Sequence, residues 1–99
     1  MSNDERSAKN ALKKIKKAKA TNSRELDLRY IDLTKIPAEL FQLKQLESLD
    51  LSGNQLSEIP AAITQLQNLS YLDLSSNRLS EIPAAITQLQ KLSLVALSS

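Results

Sequence analysis

Carboxylates recur at a fixed interval in this chain of 99 residues. Asp27, Asp50 and Asp73 are 23 positions apart, so stacked units of that length would place them in one column. Carboxylates at such short range can support acid–base chemistry or cation binding. Their mutual repulsion favours a cationic partner. The chain contains no cysteine and no histidine, which excludes thiolate nucleophiles, zinc–thiolate sites and imidazole bases.

Catalysis by this column is not expected. General acid–base catalysis requires a pocket that shifts a carboxyl pKa, whereas these carboxylates should lie on an open surface. Calcium binding requires oxygens that converge on one point, and a straight column does not provide that geometry. We therefore predict that the chain is not an enzyme and uses no cofactor or metal ion, and that the column lies on a solvated or partner-binding face.

Short strands must position these carboxylates. Leu49 and Leu51 are two residues apart and point to one side of a strand, so Asp50 between them points to the other. The same 23-residue phase recurs in leucine columns such as Leu26, Leu49, Leu72 and Val95, which predicts side-by-side strands in a parallel sheet. The predicted concave face comprises Glu25, Asp27, Arg29, Ser48, Asp50, Ser52, Tyr71, Asp73, Ser75, Leu94 and Ala96. Arg78 joins the polar members of this set as a candidate partner contact, and Tyr71 is the best single anchor.

Each strand is followed by a turn and a short helical segment. Asn54 and Asn77 occupy the turn, where a side-chain amide can pair with backbone groups that would otherwise have no partner. In the segment 59–66, we expect Pro60 at the first helical position. Ile63 and Leu66 are three residues apart and should close the core on the convex side. The Ile-Pro pair recurs as Ile82-Pro83.

Two segments fit the pattern L-x-x-L-x-L-x-x-N-x-L at every fixed position, residues 46–56 and residues 69–79. This pattern is the leucine-rich-repeat signature. The chain resembles the 23-residue class found in Ras-binding scaffold proteins and in bacterial Roco proteins. The resemblance implies an α/β solenoid with three full repeats and the strand of a fourth over 23–99, which binds another protein on its concave face. Roco proteins continue into a GTPase domain, but this chain lacks the phosphate-loop motif G-x-x-x-x-G-K-[ST].

Residues 1–22 do not follow the repeat. Small and apolar side chains at helical spacing predict an amphipathic helix that covers the first repeat: Ala8, Ala11, Leu12, Ile15 and Ala18. Ser2 and Glu5 could form a capping box at its start. The first repeat carries Tyr30, Ile31 and Phe41 where later repeats have small or polar residues, as expected if the helix packs there.

The same helix is strongly basic. Residues 1–24 contain eight basic and two acidic residues, a net charge of +6, whereas residues 25–99 contain five and nine, a net charge of −4. Its lysines are Lys9, Lys13, Lys14, Lys16, Lys17 and Lys19. Such a helix could bind anionic lipid, nucleic acid or an acidic partner, or it could be a solvated cap. It has no aromatic residue for stacking, so nucleic-acid binding is not expected.

Residues 92–99 align with residues 69–76 and predict a fourth strand with an uncovered edge. Such an edge is typical of a truncated repeat array, or it can pair with another copy; we expect self-association through 92–99 in either case. The sequence shows no signal peptide or transmembrane run, which favours a cytoplasmic protein. The predicted function is a protein-interaction module. The alternatives are a truncated or structural fragment without its own partner, and anionic-surface binding through the basic helix.

Overall fold

The computed structural model describes residues 3–80 and 84–96. They begin with the helix α1 (Asn3–Ala20), within the range predicted for the basic cap. Ser2 of the predicted capping box lies outside the described residues. The same holds for Ile82-Pro83 and for the last part of the segment 92–99.

Helix α1 ends in a left-handed turn at Asn22, whose φ is 51°. The Ser23 N–H donates to the Ala18 carbonyl at 2.9 Å, and the Asn22 N–H donates to the Lys19 carbonyl at 3.2 Å. These two bonds form the Schellman arrangement, which pairs the last carbonyls of a helix. Asparagine tolerates the left-handed conformation better than most residues, which explains why the chain leaves the helix at this position.

One face of α1 packs against the first strand and the first convex segment. Ala11, Ile15 and Ala18 are buried on that face, with exposures of 0%, 2% and 5%. Their i, i+4, i+7 spacing forms one stripe along the helix. The predicted cap is therefore present in the structure, and it closes the apolar end of the first repeat.

Within the described residues, four short strands form a parallel sheet in sequence order. They are β1 (Glu25–Asp27), β2 (Ser48–Asp50), β3 (Tyr71–Asp73) and β4 (Leu94–Ala96). Leu26 pairs in register with Leu49, then with Leu72 and Val95. The first three side chains are buried. The predicted leucine column and strand register are confirmed.

In the part of the chain that the structure describes, the convex side contains three 3₁₀ helices, Ala38–Gln42, Ala61–Gln65 and Ala84–Gln88. The prediction that Pro60 occupies the first helical position is wrong. Pro60 precedes the helix in an extended conformation, with φ −60° and ψ 147°, and its carbonyl accepts the Ile63 N–H at 3.1 Å. The three-residue offset of that bond gives a 3₁₀ rather than an α turn. Ile63 and Leu66 are fully buried, as predicted.

Asn54 connects the first two repeats from inside the turn. Its carbonyl oxygen accepts the N–H groups of Ile31 at 3.2 Å and Leu33 at 2.9 Å. Its Nδ2 donates to the carbonyls of Leu28 and Leu51, both at 2.9 Å, and of Ser52 at 3.3 Å. The role predicted for this amide, pairing backbone groups in the turn, is confirmed.

Asn77 repeats the arrangement one unit later. It accepts the Leu56 N–H at 3.0 Å and donates to the carbonyls of Leu51, Leu74 and Ser75. Each asparagine thus pairs with the backbone of its own repeat and of the preceding one. Side-chain amides therefore link each of these turns to the preceding repeat.

Candidate protein-interaction face

The strand side chains that point away from the core, together with the residue two positions beyond each strand, form the concave face. Its members among the described side chains are Glu25, Asp27, Arg29, Ser48, Asp50, Ser52, Tyr71, Asp73 and Ser75. Glu25, Asp27 and Arg29 are exposed, and most of the remainder are half-buried. Arg78 is exposed and follows the end of β3, outside the sheet itself. Leu94 and Ala96 belong to β4 by register.

Ser52 differs from the other predicted contact residues because it is only 6% exposed. Its hydroxyl donates to Asp50 Oδ1 at 2.6 Å, and its N–H donates to the same oxygen at 3.0 Å. Ser75 makes the same two bonds to Asp73, at 2.6 and 3.0 Å. Ser52 therefore supports the neighbouring carboxylate and offers little surface to a partner.

Each carboxylate of the column forms a local turn with the residue two positions later. The Arg29 N–H donates to Asp27 Oδ1 at 3.0 Å, as the Ser52 and Ser75 N–H groups do to Asp50 and Asp73. Aspartate favours this turn because its short side chain reaches the backbone two residues ahead. The turn fixes one oxygen of each carboxylate at the end of its strand.

Arg29 supplies a cation to the first two carboxylates. Its guanidinium lies 3.0 Å from Asp27 Oδ2 and 3.7 Å from Asp50 Oδ2. Hydrogen bonds from the Arg29 backbone and side chain, together with its charge, lower the pKa of Asp27. The column of like charges predicted from the sequence is therefore partly neutralised within the chain. Among the described residues, no basic side chain forms an ion pair with Asp73.

Tyr71 and Asp73 form a polar pair at the end of the carboxylate column that Arg29 does not reach. The Tyr71 hydroxyl donates to Asp73 Oδ2 at 3.1 Å, and that hydrogen bond raises the pKa of Tyr71. Burial acts to raise the pKa of Asp73, but hydrogen bonds from Ser75 and Tyr71 outweigh it and leave that pKa lowered. The tyrosine ring is held half-buried on the sheet with its hydroxyl already paired.

Tyr30 lies elsewhere than the sequence suggested. The expectation that it packs under the helix is wrong, because 73% of its surface is exposed. Its backbone is left-handed, with φ 51°, and its ring covers Gly53 so closely that an added Cβ there would lie 2.1 Å from the ring carbons. By contrast, Phe41 is buried and Ile31 packs partly against the core. Tyr30 and Gly53 occupy the same position in successive 23-residue repeats. This equivalence was the one sequence feature that could have predicted their contact.

The helix borders the concave face at an open cleft of about 230 Å³. Lys14 and Lys17 line its helix side, and Glu25 and Asp27 line its sheet side. The cleft is shallow and open. Within residues 3–80 and 84–96, no cluster of three or more carboxylates is arranged to hold a metal ion. No helix in the same ranges is long and apolar enough to cross a membrane.

Residues 21–79 match the family profile described as leucine rich repeat. The chain belongs to the leucine-rich-repeat family. A solved leucine-rich-repeat protein of Leptospira interrogans shares 38% sequence identity with a TM-score of 0.76, over 85% of this chain and 22% of its own. A TDR receptor shares 36% identity with a TM-score of 0.67, over 76% of this chain and 14% of its own.

This repeat chain therefore spans about a fifth or less of the length of these two relatives. No curated protein sequence matches it. The matches establish the α/β solenoid that the repeat signature implied. They do not distinguish the Ras-binding scaffold or Roco classes, and that narrower resemblance stays a prediction.

Proposed function

We propose that the chain is a non-catalytic scaffold that binds a protein segment on its concave face. Membership of a family of protein-interaction repeats supports binding in general. The observation that carries the choice of surface is the Tyr71–Asp73 pair, joined by a hydrogen bond of 3.1 Å. Tyrosine offers a large, rigid, amphipathic contact area, which is why it is enriched among residues that dominate binding energy.

The electrostatics of the face favour a partner segment that places a basic residue near Asp73. Asp27 and Asp50 share Arg29, whereas Asp73 is held by neutral donors from Ser75 and Tyr71. An incoming lysine or arginine would find this carboxylate already oriented. Little side-chain freedom is then lost on binding, which lowers the entropic cost of association.

Affinity capture with charge-reversed variants tests the proposal. Bait carrying Asp50→Lys and Asp73→Lys should lose proteins that the unmodified chain retains from its native cells. The matched control is Glu39→Lys with Glu58→Lys, which makes the same charge change at two exposed positions outside the concave face. Loss of the same proteins from both variants would contradict concave-face binding, as would loss from neither.

The fourth strand supports a further part of the proposal, self-association through residues 92–99. One edge of β4 pairs with β3, and its other edge has no partner strand among the described residues. An open edge presents backbone groups to a second chain. Sedimentation equilibrium should show concentration-dependent mass. A single monomeric species at high concentration would refute this part while leaving concave-face binding intact.

We propose a cytoplasmic location for the module. The chain has 99 residues and no cysteine, and small secreted domains commonly rely on disulfides. Fluorescence microscopy and fractionation of native cells that express the tagged full-length gene would test the location. Recovery of the tagged protein from the extracellular fraction would contradict it.

A further inference from the structure

Helix α1 presents a cationic face on the side opposite its buried stripe. Ala11, Ile15 and Ala18 face the repeats, whereas Lys9, Lys13 and Lys16 are exposed. The three lysines follow i, i+4, i+7 spacing, so they form a row along the outer surface. Arg6 is a further exposed cation beside the row, whereas Lys14 and Lys17 line the cleft next to Glu25 and Asp27. The cap therefore has a second surface that the repeats do not use.

The repeats do not neutralise this surface. Arg24 and Arg29 form ion pairs with acidic residues of the repeats, but within residues 3–80 and 84–96 no acidic residue of the repeats forms an ion pair with Lys9, Lys13 or Lys16. The helix itself holds seven basic and two acidic residues, while residues 25–99 carry a net charge of −4. The molecule is thus electrically polar, and an anionic surface would attract its helix side first.

The geometry suits a broad anionic surface rather than a single ligand. An α-helix of 18 residues is about 27 Å long, and Lys9 to Lys16 spans about 10 Å of that length. The apolar stripe is already buried against the repeats, so the helix cannot insert it into a bilayer. Contact would stay at the level of the headgroups, with lysine side chains reaching outward.

The predominance of lysine over arginine in α1 favours an anionic lipid surface over nucleic acid as its ligand. Six of the seven cations of α1 are lysines, which act as strongly hydrated point charges, whereas arginine is preferred for bidentate recognition of bases and phosphates. The helix also has no aromatic side chain for stacking on bases. Clusters of four to eight cations on such a helix are typical of anionic-lipid binding.

We propose that the outer face of α1 docks the chain onto an anionic phospholipid surface without inserting into it. Lipids can move laterally, so anionic headgroups can gather under the fixed row of lysines. Docking by α1 would leave the concave face free for a protein partner, because α1 covers the end of the sheet. The inference does not depend on concave-face binding.

Vesicle co-sedimentation of the full chain tests the proposal. Vesicles of phosphatidylcholine with about 30% phosphatidylserine should bind the protein at low salt, and pure phosphatidylcholine vesicles should not. The variant Lys9→Gln/Lys13→Gln/Lys16→Gln should bind about 100-fold more weakly, given the contribution of each lysine near such a surface. The matched control, Lys35→Gln/Lys44→Gln/Lys91→Gln, makes the same change of net charge at exposed positions of the repeats.

Three results together would support the proposal. The helix variant should bind more weakly, the control variant should bind as the unmodified chain does, and about 0.3 M salt should reduce binding of the unmodified chain. Equal weakening of both variants would overturn it, because net charge rather than the helix face would then be responsible. Absence of binding to phosphatidylserine vesicles would also overturn it. Tighter binding to a DNA duplex of about 20 base pairs, or to polyglutamate, at the same salt would assign the face to that ligand instead. Circular dichroism of both variants establishes that they remain folded.

Discussion

Asn54→Ala should be among the most destabilising single substitutions in the chain. The amide is 6% exposed and pairs with the N–H of Leu33 and the carbonyl of Leu28, both at 2.9 Å. Alanine would leave these two backbone groups without their side-chain partner. Leu28 and Leu33 are at most 1% exposed and Asn54 itself is buried, so water cannot easily replace the amide.

Each unsatisfied buried group costs about 1–3 kcal/mol, so the expected loss is about 4 kcal/mol in the free energy of unfolding. A domain of this size has about 5–15 kcal/mol in total. The matched control is Asn77→Ala, since Asn77 makes equivalent bonds but is only half-buried. Its partners in Leu51 and Leu56 are buried, but the space that alanine leaves at the half-buried position 77 would be open to water, so we expect a smaller loss of about 1–2 kcal/mol there.

Urea unfolding followed by circular dichroism measures both losses by linear extrapolation. The unfolding slope should not change, because neither variant alters the surface exposed on unfolding. If Asn54→Ala costs less than about 1 kcal/mol, or no more than Asn77→Ala, the buried amide does not hold the first two repeats together as argued.

Further predictions concern the turn, the column and the cap. Gly53→Ala should cost about 1 kcal/mol because its φ is 70°, and more because the Tyr30 ring must move; in a Tyr30→Ala background, urea unfolding should show that only the loss caused by the ring is recovered. The pKa of Asp73 is lower in the folded chain than its unfolded value of 3.8. The ionised carboxylate therefore stabilises the fold above pH 3.8, and this contribution is lost as the pH falls through the folded-state pKa. Thermal unfolding of Asp73→Asn should therefore show a deficit at pH 7 that shrinks as the pH falls below 3.8; a deficit independent of pH would contradict this assignment. Ile15→Ala should cost about 2–5 kcal/mol through a cavity under the cap, whereas Leu12→Ala, at a half-exposed position, should cost less. Equal losses at the two positions, measured by urea unfolding, would show that α1 is not docked as described.

The strand register was predictable because the 23-residue period constrains it independently in several columns. A one-residue slip would turn Leu49 and Leu72 outward and Asp50 inward, so the alternation of residue types leaves one solution. The role of Asn54 was predictable for a related reason. A buried amide is acceptable only where backbone groups need partners, and the turn after a strand provides them.

Other features depended on geometry that spacing does not encode. Ile63 and Leu66 share a face in both an α and a 3₁₀ turn, so their spacing could not place Pro60 outside the helix. Arg29 was predicted to lie on the concave face, but its bridge between Asp27 and Asp50 depends on the direction of a long, flexible side chain. The outward position of Tyr30 depends on a left-handed backbone conformation, which tyrosine seldom adopts.

Site-specific photo-crosslinking tests the central claim, protein binding on the concave face, most directly. A photoreactive amino acid at Ser48, which is next to Tyr71 in the sheet register, should form a defined protein adduct in native cells. The adduct should disappear with Tyr71→Ala and should not form from Gln65, an exposed position in a convex 3₁₀ helix. Formation of the same adduct from Gln65, or none from Ser48, would contradict the assignment of the concave face as the binding surface.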